Sequence, residues 1–235
     1  MQPGPERDFF AGVLANRSGR IDDSILLLNG ALPGIRESQP KRAAVALETL
    51  ADDYTKCFRS ADGARTYDDL LAHFTSQLDR GGTKDDSDLV HLLEGVPAQT
   101  ITFQGPVRLK TERNPIGSLV TELTVNGVRG WWLLDTGANQ TVVTRSFSRE
   151  LGLKPLPGSA KTGSGITGIA NALQVAVLPT LQMGGATVKN VVVPMLEDAN
   201  LKIGTGKHAY QINAILVRIL HSLVGSRTGA LPVVG

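Results

Sequence analysis

The sequence has one cysteine, few aromatic residues and no long apolar run. Cys57 alone, among 235 residues, excludes an intrachain disulfide framework and any zinc or iron–sulfur site built from several cysteines. The four histidines form no His-x-x-x-His or His-Glu-x-x-His pair, so we expect no zinc protease site. No apolar run reaches the roughly 18 residues of a transmembrane helix, and no signal peptide is visible at Met1–Glu6.

The charges are divided unevenly along the chain. Residues 1–100 carry 11 Lys and Arg against 16 Asp and Glu, whereas residues 101–235 carry 13 against 6. This asymmetry predicts two segments with different surfaces. The basic half has no Lys and Arg cluster interleaved with aromatic residues, which make up 5% of the chain, so we expect no nucleic-acid binding.

Residues 1–96 have the apolar spacing of an α-helical array. Gly- and Pro-containing breaks at 30–34, 60–63 and 81–83 divide this segment into four or five short helices. The array loosely resembles a degenerate tetratricopeptide-type repeat, without a clean 34-residue period. We interpret it as a helical domain that packs or binds a protein partner. The apolar residues that recur at intervals of three and four are Ile25, Leu28, Leu32 and Ile35, then Ala43, Leu47, Leu50 and Tyr54, then Tyr67, Leu70, Leu71, Phe74 and Leu78.

Residues 97–235 have the pattern of a mainly-β domain. Asn126-Gly127 and Gly184-Gly185 are hairpin signals between alternating segments. Many short strands with glycine turns predict a compact antiparallel β domain, and the fold class is therefore multidomain α + β. The predicted strands are 101–103, 107–110, 119–125, 128–134, 141–144, 173–178, 187–195 and 212–216. A short helix is predicted at 146–151.

Asp135 is the candidate catalytic residue. An apolar strand ending at Leu134 runs into Asp135-Thr136-Gly137-Ala138, and a second apolar segment leaves it at Thr141. These flanks hold the turn inside the protein, so the carboxylate lies at the base of a site rather than on a solvated loop tip. Gly137 lets the backbone turn tightly and brings amide N–H groups near the carboxylate. The alternative from the residues alone is an ordinary strand–turn–strand with an Asx turn at Asp135.

The Asp135 segment resembles the active-site motif of the retropepsin-like aspartic proteases. The match is Leu-Leu-Asp-Thr-Gly-Ala, two variable residues and then Thr-Val-Val, at 133–143. The resemblance implies an acid-protease β barrel with a catalytic Asp135, an active-site turn of Thr136, Gly137 and Ala138, and Asn139 along the substrate wall. The glycine-rich segment 163–169 stands where this family carries its flap. The implied flap residues are Gly165, Ile166, Thr167 and Gly168.

A single Asp-Thr-Gly motif implies a homodimer. Hydrolysis in this class uses two carboxylates, of which one activates water and the other donates a proton. The β half contains one other aspartate, Asp198, in a polar connection without the motif. The resemblance therefore implies that the second carboxylate is Asp135 of a second copy. It also implies endopeptidase activity on peptides or proteins, without a metal or organic cofactor.

The C-terminal segment departs from the family pattern. Val217 stands where the family carries a glycine, and the tail from about residue 217 lacks the expected closing helix and strand. Two alternatives therefore stay open: a catalytically inactive retropepsin-fold protein that binds peptides or serves as a scaffold, and a monomer whose Asp135 has no partner. A bacterial cell-envelope or secreted location is implied by the resemblance only.

Overall fold

The computed structural model describes 4–78, 80–104, 107–135, 140–162, 171–204 and 209–216; at 80, 81, 160–162 and 171–173 it describes the backbone alone. The chain divides into two compact units. The first comprises Met1–Ala98 and Pro157–Ala172, and the second comprises Gln99–Leu156 and Leu173–Gly235. In the described part of the chain, every helix is too short or too polar to cross a membrane.

The first unit is an array of five α-helices, as the apolar spacing predicts. Their bounds are α1 (Pro5–Arg17), α2 (Ile21–Ile35), α3 (Pro40–Lys56), α4 (Ser60–His73) and α5 (Arg80–Leu92), with a short 3₁₀ helix at Thr75–Gln77. A proline begins both α1 and α3, where its missing N–H group has no helical partner to lose. The helices therefore form two successive hairpins followed by α5.

The two helical hairpins repeat the same pattern of burial. Helices α1 and α3 are the first helices of the two hairpins. Their equivalent buried residues are 35 positions apart, as are Phe9 and Ala44. Helices α2 and α4 are the second helices of the two hairpins, and their equivalent buried residues are 39 positions apart, as are Leu28 and Tyr67. The buried positions are Phe9, Gly12 and Ala15 in α1, Ala44, Leu47 and Leu50 in α3, Ser24, Leu28, Ala31 and Ile35 in α2, and Gly63, Tyr67, Leu70 and Phe74 in or just after α4.

The difference between the two spacings explains why the sequence shows no clean period. Helix α3 has 17 residues and α1 has 13, and four extra residues are about one helical turn. The added turn keeps the same face of the helix buried. The added turn nevertheless places the residues of α4 four positions later in the sequence than a 35-residue period would. No single period therefore aligns both helices of the repeat.

A buried carboxylate joins the first three helices. Asp53 of α3 accepts a hydrogen bond from Ser24 Oγ of α2 at 2.5 Å and another from Asn16 Nδ2 of α1 at 2.8 Å. Burial raises the pKa of Asp53, and the bonds from Ser24 and Asn16 act in the opposite direction. These bonds satisfy polar groups that would otherwise be costly to bury, so they fix how α1, α2 and α3 pack.

The second unit is a β barrel with a short helix; 160–162 and 171–172 of the sheet belong to the first unit. Its strand order is β1-β8-β5-β11-β4-β3-β7-β6, and β2 pairs with β3. Because β7 also pairs with β8, the strands from β8 through β5, β11, β4 and β3 to β7 form a closed circle. The bounds are β1 (Thr100–Phe103), β2 (Thr111–Arg113), β3 (Leu119–Val125), β4 (Val128–Leu134), β5 (Val142–Thr144), α6 (Arg145–Glu150), β6 (Ala160–Thr162), β7 (Asn171–Met183), β8 (Ala186–Leu196), β9 (Lys202–Ile203), β10 (Tyr210–Gln211) and β11 (Ala214–Leu216), with a 3₁₀ helix at Asp198–Leu201.

Both predicted hairpin turns are present. Asn126 and Gly127 have φ values of 50° and 80°, and Val125 pairs with Val128, which is a two-residue turn with two left-handed residues. At the second turn Gly184 has φ 54°, and a Cβ atom there would lie 2.7 Å from the carbonyl oxygen of Arg108. Glycine is therefore required at 184 by both its backbone conformation and its close neighbour.

Several predicted breaks and strands are wrong. Helix α2 continues through Gly30 and includes Pro33, since Leu28, Ala31 and Ile35 are fully buried and hold that turn in place. Helix α5 begins at Arg80, so the glycines at 81 and 82 lie in its first turn. The segment 107–110 is not a strand; β2 follows it instead.

Candidate functional site

Asp135 lies directly after the last residue of β4. Residues of β4 alternate between the two faces of the sheet: Trp132 is fully buried in the barrel, and Leu133 packs on the opposite side. Asp135 is itself half-buried, and its carboxylate stands where the strand leaves the sheet. The apolar flank thus presents this side chain at the edge of the core.

Strand β11 lies between the two strands that flank the Asp135 turn. It runs parallel to β4, with Leu216 opposite Leu134, and antiparallel to β5, with Ala214 opposite Val143. The backbone N–H of Asp135 donates to the carbonyl oxygen of Leu216 at 3.2 Å, and that of Thr144 donates to Asn213 at 2.8 Å. The strand that enters the turn and the strand that leaves it are therefore held by the same third strand.

The buried face of β4 rests on an aromatic pair. The rings of Trp132 and Phe147 meet edge to face, with centroids 6.0 Å apart. Phe147 also covers Gly130, where a Cβ atom would lie 2.3 Å from the phenyl ring. The glycine that interrupts this strand therefore makes room for Phe147, and the pair fixes β4 against α6.

A second apolar cluster supports the opposite face of the turn. Its buried members are Leu201, Ile212 and Ile215, and Leu133, Val142, Leu196, Tyr210 and Ile116 pack against them. Leu133, Val142 and Ile215 come from the three strands around Asp135. Packing on both faces leaves these strands little freedom, so the start of the turn is rigidly positioned.

Asp198 binds the N-terminus of α6 and serves as a helix cap. The backbone N–H of Ser146 donates to Asp198 Oδ1 at 3.1 Å, while that of Phe147 donates to Thr144 Oγ1 at 3.3 Å. The bond from the Ser146 backbone lowers the pKa of Asp198 below its usual value, and the Ser146 side chain and Arg149 reinforce this effect. The sequence identified Asp198 only as part of a polar connection; its partner is 52 positions away, and no local signal reveals it.

Asp198→Asn is expected to lower the free energy of unfolding by about 0.5–1 kcal/mol near neutral pH, because it removes a negative charge from a helix N-terminus. A carboxylate whose pKa is lowered by folding stabilises the protein above its unfolded pKa of about 3.9 and loses this contribution as the pH falls through the folded value. The difference between wild type and variant should therefore shrink at acidic pH in urea titrations. Exposed Glu150→Gln is the control, and a difference unchanged at low pH would contradict the assignment.

All of the other predicted site residues lie outside the described residues. These are the turn residues Thr136, Gly137, Ala138 and Asn139, the flap residues Gly165, Ile166, Thr167 and Gly168, and Val217 with the tail that follows it. Of the predicted set, the structure thus places Asp135. Among the described residues, no group of three or more His, Cys, Asp and Glu side chains is arranged to hold a metal ion.

The comparison with protein families agrees with the resemblance seen in the motif. Residues 121–212 match the family described as Aspartyl protease, which confirms the predicted resemblance from β3 to the residue after β10. A solved structure described as a retropepsin-like aspartic protease from Rickettsia conorii is 20% identical, covering 52% of this chain and 77% of that chain with a TM-score of 0.32. No curated protein matches the chain.

Proposed function

Building on the Aspartyl protease match of residues 121–212, we propose that the chain is an aspartic endopeptidase that acts as a homodimer. Each copy contributes one Asp135, and the two carboxylates together activate a water molecule for hydrolysis of a peptide bond. In this proposal residues 97–235 are the catalytic domain, and residues 1–96 are a helical domain that binds a partner or a substrate.

The observation that carries the proposal is the position of Asp135 at the junction of three strands. Its backbone N–H is bonded to Leu216 of β11, and β11 also pairs with β5 on the far side of the turn. A catalytic group must be held within a fraction of an ångström of its working position. The apolar packing on both faces of these strands supplies that rigidity.

The proposal of a dimer follows from the role of the other aspartate of the β unit. Asp198 is engaged with the backbone of Ser146 at the start of α6, and its lowered pKa reflects that bond. Its structural role makes it a poor candidate for the second catalytic carboxylate. A second copy related by a two-fold axis would supply an identical Asp135.

The chemistry then follows from the pairing of the carboxylates. Two like charges that share a site do not ionise together easily, so one carboxylate keeps a proton while the other is ionised. The ionised carboxylate removes a proton from water as that water attacks the peptide carbonyl. The protonated carboxylate donates to the carbonyl oxygen and later to the leaving amine. In the proposed dimer, Thr136 bonds across the axis, while Ala138, Asn139 and 165–168 contact the substrate.

The test is cleavage of an unstructured protein by the full chain over pH values of roughly 3–8, a span that covers a coupled carboxylate pair. Asp135→Asn is run beside wild type, at concentrations above and below the dimerisation midpoint found by analytical ultracentrifugation. We expect cleavage by wild type that falls steeply on dilution and is lost in the variant. A folded wild-type dimer that cleaves nothing would instead favour the inactive peptide-binding or scaffold protein.

A further inference from the structure

The helical unit exposes large apolar side chains on its first and third helices. Phe10, Leu14 and Val45 are 44%, 60% and 43% exposed. Phe10 and Leu14 lie one turn apart on α1, and Val45 occupies in α3 the position that Phe10 occupies in α1, 35 residues earlier. The same exposed face is thus apolar in both helical hairpins, although Phe10 and Val45 lie outside the buried core.

These apolar side chains lie on two neighbouring helices that Arg42 joins. Arg42 of α3 stacks over the ring of Phe10 at 5.0 Å and pairs with Glu6 of α1 at 2.5 Å. Val45 follows Arg42 by three positions, so it lies on the adjoining part of α3. We call this surface, formed by Phe10, Leu14 and Val45, the α1/α3 face.

Two carboxylates without ion-pair partners among the described residues, Glu48 of α3 and Asp86 of α5, adjoin the α1/α3 face. Val90 and the Ala51 carbonyl oxygen both lie within 3.4 Å of the Cβ position at Gly63, so the turns before them, which carry Asp86 and Glu48, are neighbours. Glu48 lies one turn after Val45, and partial burial together with the charges of Asp86 and Asp52 raises its pKa. Partial burial also raises the pKa of Asp86 on α5, as do the charges of Asp85 and Asp52. Among the described residues neither Glu48 nor Asp86 has an ion-pair partner, whereas Asp52 is paired with Lys56.

A cationic segment would complement this part of the surface. A Lys or Arg side chain placed between Glu48 and Asp86 would relieve the repulsion between carboxylates that now lack a counter-charge. Lys41 lies one turn before Val45, on the side away from Glu48. A positive and a negative side chain therefore flank Val45 along α3. An occupant therefore needs an apolar centre and basic side chains at the end that meets α5.

From this arrangement we propose that the α1/α3 face with Glu48 and Asp86 binds a polypeptide segment that carries an apolar side chain followed by Lys or Arg. Burial of its apolar side chain against Phe10 and Val45 supplies affinity. The paired charges fix the direction in which the segment lies. The proposal goes beyond peptide hydrolysis and holds whether or not the β unit cleaves the bound chain.

The experiment measures peptide binding by fluorescence anisotropy with the full chain carrying Asp135→Asn, so that the probe is not consumed. The probe is a labelled peptide with the core Leu-Phe-Lys-Lys, and the comparison peptides replace both lysines by glutamate or both apolar residues by glycine. We expect the first probe to bind at least about tenfold more tightly than either comparison peptide, a difference of ~1.4 kcal/mol. Added salt should weaken the binding, since part of it is electrostatic.

Matched variants separate the two contributions. Val45→Asp and the double variant Glu48→Gln, Asp86→Asn should each weaken binding about tenfold, while Glu37→Gln, an exposed carboxylate after α2, should leave it unchanged. The charge-reversed variant Glu48→Lys, Asp86→Lys should prefer the glutamate peptide, a gain that misfolding cannot produce. Equal binding of all peptides, no binding of the lysine probe, or insensitivity to Val45→Asp would each overturn the proposal.

Discussion

Adding an excess of Asp135→Asn chains to a fixed amount of wild-type protein is expected to suppress peptide cleavage. If the working unit is a dimer with one Asp135 from each copy, a mixed dimer has a single catalytic carboxylate and is inactive. With nine variant chains for each wild-type chain, random pairing leaves about one tenth of the wild-type chains in active dimers. The rate of substrate cleavage should fall accordingly, once the subunits have had time to exchange.

The control for this experiment is an equal excess of wild-type chains, which should raise the rate. Asn is close to Asp in shape, and the backbone N–H that bonds Leu216 is retained in the variant, so its fold should be unchanged. Circular dichroism and sedimentation check this. A rate that does not respond to the variant, although the variant alone is inactive, would mean that each chain works by itself.

Trp132→Ala is expected to reduce the free energy of unfolding of the β unit by about 3–5 kcal/mol, as for other buried aromatic residues. Trp132 is fully buried, and removal of its ring would leave a cavity beside Phe147. This loss is a large part of the roughly 5–15 kcal/mol that stabilises a typical domain. Urea unfolding should show a lower midpoint, and the proposed cleavage should decline as well, because Asp135 directly follows β4.

The neighbouring tryptophan is a matched control. Trp131 lies on the opposite face of β4 and is 44% exposed, so Trp131→Ala should change the free energy of unfolding by no more than about 0.5 kcal/mol. Each variant keeps one tryptophan, so fluorescence can follow unfolding in both. If the two substitutions had similar effects, the assignment of Trp132 to the barrel core would be wrong.

The sequence was most informative where structure is determined locally. The Asn126-Gly127 turn was identified because two adjacent left-handed residues strongly favour that pair of residues. The apolar run before Asp135 indicated a strand that enters the core, and β4 ends at Leu134 as expected. In both cases the preference of a few neighbouring residues agrees with what the tertiary structure requires.

Prediction failed where distant contacts override local preference. Pro33 and the glycines at 81 and 82 are ordinary helix breakers, yet α2 and α5 include them. In α2, the burial of Leu28, Ala31 and Ile35 outweighs the lost backbone bond. The helical repeat was identified only as a loose resemblance without a clean period, because one extra turn in α3 separates its two spacings of 35 and 39 positions.

The support of the candidate site was the least predictable part. Its motif was visible in the sequence, but the partner of the Asp135 N–H is Leu216, 81 positions away. Asp198 likewise reaches Ser146 from a distant loop. Pairings of this kind depend on the topology of the barrel and leave no pattern in the residues around either partner.

The position of β11 determines when the site can form during synthesis. A ribosome that has added the residues up to about Gln211 has already produced Asp135 together with β4 and β5, yet the strand that belongs between them has not been translated. The nascent chain therefore cannot yet form the three-strand support of Asp135. Contacts between such distant segments also form slowly, so the junction of β4, β11 and β5 that holds the backbone of Asp135 is expected to form late in folding.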